Sequence, residues 1–481
     1  MTIKHELWIN GEHTAPDSGK YFDVLNPLDD SLYCTAAEAN ANDVNRAVEV
    51  AHACFQRYGK TLAKDREKML CKAADLLERD QADFIDILID EIGSPINKAN
   101  FEIQYTIGHL RAAAGVARRV TGQTMPSDTP GRLSMSVRKP LGVIAAITPF
   151  NVPLIKAAKL VASPLATGNT VVLLSSEEAP SLSYRFAQLL HEAGFPAGSV
   201  NVVSGFGVDI GDTLNTHPLV KTVMFTGSSR VGKHIGELCG RHMKHAVLEL
   251  GGKSPLVILA DADLELAVRT AVFGMFLYQG QACMASSRII VEEGIYDKFM
   301  AAYKTVASQL SMGDLREMST ILGPIISQRQ RDRVRRHIDN AVEHGATIET
   351  GGNWQGHRCE PTILSGITQA MEVCYEETFG PVTSVYSVKD YAAALEMAND
   401  TPYGLSAAIC TNDLNKALDF TDQVNAGMVH VNAPTLHDEP HVPFGGTGDS
   451  GFGREGVEVD VDALTEWKWI TIQLPTADAG H

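Results

Sequence analysis

The apolar positions of the chain change their spacing partway along it. Between Asn42 and Phe55 they fall at three- and four-residue steps: Val44, Ala47, Val48, Ala51 and Phe55. Met69, Ala73, Leu76 and Leu77 repeat the pattern. This spacing predicts amphipathic helices from Asn42 and from Asp65, continuing over 84–92 until Gly93 and Pro95 stop them. From Leu141 the apolar residues instead come in short unbroken runs, at 141–147, 170–174, 200–203, 220–225 and 247–250. Such runs read as strands buried on both faces. Helical segments separate them, for example 181–193, closed by Gly194 and Pro196. Strand–helix alternation implies βαβ units around a parallel sheet, and hence an α/β fold. The alternation resumes after Gly252, with strands expected at 255–259, 288–291 and 428–431, and helices at 264–278, 296–310 and 414–424. A second α/β domain is therefore expected to begin near residue 252. In the polar segment 120–139, Leu133, Met135 and Val137 alternate with polar residues, which predicts a hairpin arm.

Composition narrows the classes. A length of 481 residues predicts roughly two to three domains. With 44% hydrophobic and 21% charged residues, the chain is neither disordered nor dependent on disulfides. There are 41 Lys+Arg against 58 Asp+Glu, a net charge of −17, and no basic block. No nucleic-acid partner is expected, because a phosphate-binding surface would be basic. The most apolar stretch, 141–174, is broken by Pro149, Pro153, Lys156, Lys159 and Pro164, so no membrane span is expected. The opening Met1–Glu6 lacks a basic segment followed by an apolar one. The eight cysteines form no CxxC pair, which reads as reduced thiols in a cytoplasmic protein without a metal site.

Five groups carry candidate chemistry. Thr226–Gly232 follows an apolar strand and opens a helix, where free N–H groups suit a pyrophosphate, although the pattern is not GxGxxG and an ordinary strand-to-helix turn fits equally. Cys283 lies in a glycine-bearing turn after an apolar helix; it is either a nucleophile or an inert buried thiol. Glu249 stands among apolar residues at a strand end, where desolvation raises a carboxyl toward the range of a general base, unless it lies on a surface edge. Asn151 ends a buried strand, where its amide suits an oxyanion, or it simply serves a turn between two prolines. In Glu376-Glu377-Thr378-Phe379-Gly380-Pro381 a carboxylate followed by an aromatic suits a ribose and a flat ring, or only a turn.

Taken together these segments resemble the aldehyde dehydrogenase superfamily over nearly the whole chain. The matching pieces are Pro149-Phe150-Asn151, Gly168-Asn169-Thr170, Phe225-Thr226-Gly227-Ser228, Glu249-Leu250-Gly251-Gly252-Lys253, Gly280-Gln281-Ala282-Cys283, Glu377-Thr378-Phe379-Gly380-Pro381 and Pro443-Phe444-Gly445-Gly446. The resemblance implies a Cys283 nucleophile, an oxyanion held by Asn151, and hydrolysis of a Cys283 thioester by water that Glu249 activates. It implies a dinucleotide held by Phe150, Glu177, Gly227, Ser228, Gly232, Leu250, Glu377 and Phe379. The Glu177 carboxylate favours NAD, with NADP as a second acceptor. Two positions depart from the family: Leu174 stands where a lysine usually reaches the adenosine ribose, and Leu160 where many members have lysine, with Lys159 just before it.

The segments 434–444 and 448–455 are similar to those of bacterial vanillin, benzaldehyde and salicylaldehyde dehydrogenases. An aromatic aldehyde is therefore expected, against a wall of Val152, Leu277, Met284 and Phe444, with Lys159 meeting a ring hydroxyl; the alternative is a broad-range pocket with Lys159 facing solvent. An aliphatic or semialdehyde dehydrogenase and a silent binder on the same fold remain as other readings, while Glu249 speaks against a CoA-acylating enzyme. The implied architecture is a Rossmann-like NAD-binding domain (1–119 and 141–251), an α/β catalytic domain (252–448) and a β oligomerisation arm (120–140 and 464–481), assembled as a homodimer or homotetramer.

Overall fold

The five apolar runs that begin near residue 141 lie side by side in one parallel sheet. Their spatial order is His245–Glu249, Val220–Thr226, Val143–Ile147, Thr170–Leu174, Val200–Val203. The order reverses at Val143–Ile147, the first of the five in the chain, and a crevice opens at the carboxyl ends of strands at such a reversal. Alternate residues serve opposite faces: Ile144, Val171, Leu173 and Met224 pack in one core, while Val143, Ala145, Val172 and Val223 pack in another. Two cores explain why the runs are continuous rather than alternating. Short antiparallel strands close the edges, Leu7–Ile9 and Glu12–Thr14 at one and Gly451–Phe452 at the other. The computed structural model describes residues 3–475. Met1, Thr2 and 476–481, the end of the expected arm, lie outside the described residues.

The predicted helices form at Ala41–Tyr58, Ala63–Arg79 and Gln81–Ile92. Asn40 caps the first, its side chain accepting from the N–H groups of Asn42 and Asp43. Gly93, at φ +66°, ends the third. The helix Ile96–Val116 carries no clear periodicity because its polar residues Lys98, Glu102, Thr106 and His109 are buried with its apolar ones.

The second sheet has the order Thr347–Thr350, Thr362–Ser365, Val382–Val388, Arg288–Glu292, Pro255–Ile258, Ser406–Cys410, Met428–Val431, parallel except for the first pair. The helix expected at 264–278 ends at Phe276, because Tyr278 and Gln279 turn to φ 50° and 45°. The arm strand Arg132–Pro140 pairs along its length with Thr465–Gln473, and Gln123–Met125 lies on its other side. Trp467, Trp469 and Ile472 are exposed there. Among the described residues no helix is long and apolar enough to cross a membrane.

Candidate active site

Cys283, Glu249 and Asn151 are distant in the chain and meet at the carboxyl edge of the first sheet. The turn after Phe276 places Cys283 there. Gln279 clamps that turn through the Gly323 N–H (3.0 Å) and the Pro324 carbonyl (2.8 Å), and Gln281 accepts from the Ile326 N–H at 3.0 Å. A Cβ on Gly252 would lie 2.5 Å from the carbonyl oxygen of Cys283, so only glycine lets the two segments touch. Asn151 donates to the Gln281 carbonyl at 3.0 Å, which brings its amide to the cysteine turn and leaves a second N–H. Cys283 keeps partial exposure. Burial pushes its thiol up to about 12, Lys156 opposes this, and the carboxylates of Glu377, Glu249 and Asp438 add to it. A thiol held this high needs a nearby base to become a nucleophile.

Glu249 is buried, and neither of its carboxylate oxygens has a hydrogen-bond partner. Burial raises its pKa well above the usual carboxylate range; Glu455 raises it further, while Lys156, Lys159 and Arg454 pull it down. A desolvated carboxylate is a stronger base than a solvated one. Lys156 bonds Glu455 at 2.6 Å, with both side chains buried. Lys159 bonds Asp438 at 2.7 Å and lies 3.9 Å from Glu455. The reading in which Lys159 faces solvent is thus corrected: its side chain is only 2% exposed, because two carboxylates compensate its charge inside the protein. Burial alone would lower Lys159, but Asp438 and Glu455 outweigh it and hold the ammonium above its usual value.

The residues expected to hold a dinucleotide lie around the same crevice. Ser228 opens the helix Ser229–Arg241 without a side-chain cap, so its first N–H groups stay free at the end of Val220–Thr226. Gly232 lies flush against Leu250, where a Cβ would come within 2.2 Å of the leucine methyl. Glu377 accepts from the Gly252 N–H at 3.1 Å and fills the space above Gly251, where a Cβ would lie 2.5 Å from its carboxylate. Burial pushes Glu377 up to about 7. The rings of Phe150 and Phe379 meet edge to face at 5.7 Å. Free N–H groups and a close-fitting glycine floor suit a dinucleotide pyrophosphate, and Glu377 suits a ribose diol. Glu177 lies farther out, half-buried, with Arg329 at 3.8 Å. Leu174 is buried in the sheet.

Of the expected wall, Phe444 is buried beneath both lysines, with the ammonium groups of Lys159 and Lys156 4.3 and 4.9 Å from its ring centre. Val152, Leu277 and Met284 are half-buried at the ends of the elements that carry Asn151 and Cys283. Four residues of the cluster were not expected from sequence: Tyr105, Lys156, Asp438 and Glu455. Asp438 and Glu455 lie inside segments that already drew attention, and Lys156 shares a helix face with Leu160, four residues on. Tyr105 left no signal, since its helix has no polar face.

The profile of the aldehyde dehydrogenase family matches residues 13–470. A vanillin dehydrogenase of Pseudomonas fluorescens is 39% identical over 470 residues, covering 97% of each chain. The crystal structure of a salicylaldehyde dehydrogenase from Pseudomonas putida, complexed with salicylaldehyde, superposes with a TM-score of 0.95 at 35% identity over 100% of both chains. An NAD-dependent aldehyde dehydrogenase from Sinorhizobium meliloti has a TM-score of 0.95 at 34% identity, covering 99% of this chain and 96% of that one. With that profile spanning all but the chain's ends, the protein belongs to the aldehyde dehydrogenase family.

Proposed function

We propose that this aldehyde dehydrogenase oxidises aromatic aldehydes, of the vanillin or benzaldehyde kind, to carboxylic acids, with NAD preferred and NADP as a second acceptor. The observation that carries the reading is the convergence of Cys283, Asn151 and an unpartnered, buried Glu249. The thiol proton passes to Glu249, and the thiolate attacks the aldehyde carbon. The second Asn151 N–H and the Cys283 backbone N–H hold the oxyanion of the thiohemiacetal. A bound nicotinamide dinucleotide supplies the acceptor for the hydride that leaves this carbon. Its loss re-forms the carbonyl as a thioester on Cys283. Glu249 passes the thiol proton on to solvent and so regains its carboxylate; it then takes a proton from water, hydroxide adds to the thioester carbon, and the Cys283 thiolate leaves.

Phe150, Gly227, Ser228, Gly232, Leu250, Glu377 and Phe379 would hold the dinucleotide, with Glu177 at the adenosine ribose. A carboxylate there repels a 2′-phosphate, while Arg329 at 3.8 Å offsets the repulsion and keeps NADP within reach. The aromatic substrate is supported by the relatives' chemistry and by Phe444, with Val152, Leu277 and Met284 beside it. The same reading assigns 1–119 and 141–251 to dinucleotide binding, 252–448 to catalysis, and 120–140 with 464–481 to an arm whose exposed Trp467 and Trp469 suit a homodimer or homotetramer. It also keeps the protein cytoplasmic.

The test is NADH formation, followed by absorbance, with benzaldehyde, vanillin and hexanal, repeated with NADP. Benzaldehyde and vanillin should exceed hexanal in kcat/KM. Equal or better turnover of hexanal would discard the aromatic assignment in favour of a broad-range aliphatic enzyme. Cys283→Ala should abolish oxidation and retain cofactor binding; retained turnover would mean that another group is the nucleophile.

A further inference from the structure

A polar cluster stands beside Phe444. Asp438 accepts from the Tyr105 hydroxyl at 2.8 Å and from the Lys159 ammonium at 2.7 Å, both through Oδ2. Its other oxygen, Oδ1, is buried and has no partner. A buried carboxylate oxygen without a donor is costly, and a native site tolerates one where a ligand supplies the donor. The arrangement is built rather than incidental. Tyr105 is 8% exposed and Lys159 2%. The Tyr105 ring is fixed by stacking on His109, with centroids 6.4 Å apart, and by Phe101 at 6.1 Å. The Lys159 ammonium is fixed over the Phe444 ring at 4.3 Å. The cluster adjoins the chemistry: Gly445, next to Phe444, lies against the Glu249 carboxylate, where a Cβ would come within 2.4 Å of it.

We propose that Asp438, oriented by Tyr105 and Lys159, is a specificity residue whose free Oδ1 accepts a hydrogen bond from a hydroxyl group on the ring of the aldehyde substrate. The preferred substrates are then phenolic aldehydes rather than aromatic aldehydes in general. The inference rests on the aromatic reading of the same site and narrows it. Lys159, which the sequence offered as the partner of a ring hydroxyl, acts instead through Asp438. A site that supplies a buried acceptor discriminates against analogues that cannot donate to it.

The test compares kcat/KM for the three hydroxybenzaldehydes, the three methoxybenzaldehydes, benzaldehyde and hexanal, in the full-length enzyme and in Asp438→Asn and Tyr105→Phe. A methoxy group fills similar space and cannot donate. In the parent enzyme at least one hydroxy isomer should exceed both its methoxy counterpart and benzaldehyde by about tenfold or more. In Asp438→Asn the amide oxygen must face the two donors, which turns an NH2 toward the ring, so the hydroxy-to-methoxy ratio should fall to about one to two. Tyr105→Phe removes one donor that orients the carboxylate and should lower the ratio less. A merely structural defect would lower all the aldehydes alike and leave the ratio standing, which would overturn the proposal. If Asp438→Asn does not fold, an unchanged ratio in Tyr105→Phe overturns it and a reduced ratio supports it. Equal turnover of hydroxy, methoxy and unsubstituted benzaldehydes by the parent enzyme overturns this proposal and leaves the aromatic reading intact, whereas faster turnover of hexanal overturns both.

Discussion

Replacing Lys156 with methionine keeps most of the side chain's volume and strands the Glu455 carboxylate. The pair it breaks has a 2.6 Å contact and side chains that are 4% and 1% exposed. Removing one partner of a buried pair destabilises by about 3–5 kcal/mol, because the other charge stays desolvated. Two contacts remain to Glu455, Lys159 at 3.9 Å and the Thr226 hydroxyl at 3.4 Å. They favour the low end, a loss of about 3 kcal/mol. In a chain of this size the loss is best read as a shift in the urea midpoint or in the first thermal transition rather than as one global free energy. Glu249, which Lys156 pulls down in the parent, should rise further, moving the acid limb of kcat/KM to higher pH. Unfolding curves at neutral pH, with a pH–rate profile, measure both effects. A variant as stable as its parent at neutral pH, or an acid limb that moves to lower pH, would refute the reasoning.

Glu249→Gln should slow both the first turnover per active site and the steady state, the latter by about 10²–10⁴-fold; steady turnover near the parent rate would remove Glu249 from both proton transfers. In the parent, burial raises Glu249, so kcat/KM should climb with pH through a limb lying above the usual carboxylate range, and a limb at or below that range would contradict the desolvated base. Gly251→Ala drives a methyl to 2.5 Å from the Glu377 carboxylate and should raise the KM for NAD about tenfold or more while sparing the KM for aldehyde; an unchanged NAD KM would place the ribose elsewhere.

Local signals account for most of what the chain revealed unaided. Runs such as Val143–Ile147 and Thr170–Leu174 are buried on both faces, so their apolar continuity announced a parallel sheet. Asn40 and Gly93 mark helix ends through their own backbone chemistry. The segments around Asn151, Glu249 and Cys283 were legible because each combines glycine, proline or an isolated polar group with a strand or helix end. The helix Ile96–Val116 was not legible, since its burial comes from neighbours on all sides. The early end of the 264–278 helix escaped for a related reason: the strained Tyr278 and Gln279 are fixed by contacts with Ile92, Gly323 and Pro324.

The sequence by itself determined the α/β class, the family and the segments that bear the chemistry, because those depend on residues close together in the chain. Only the tertiary structure decided that Lys159 is buried rather than solvated, that Lys156 answers Glu455, and that Tyr105, Lys159 and Asp438 share one carboxylate oxygen. Tyr105 and Asp438 are 333 residues apart, and their meeting depends on how a helix and a late loop pack over Phe444. A charge's environment, unlike its position in the sequence, is set by everything folded around it.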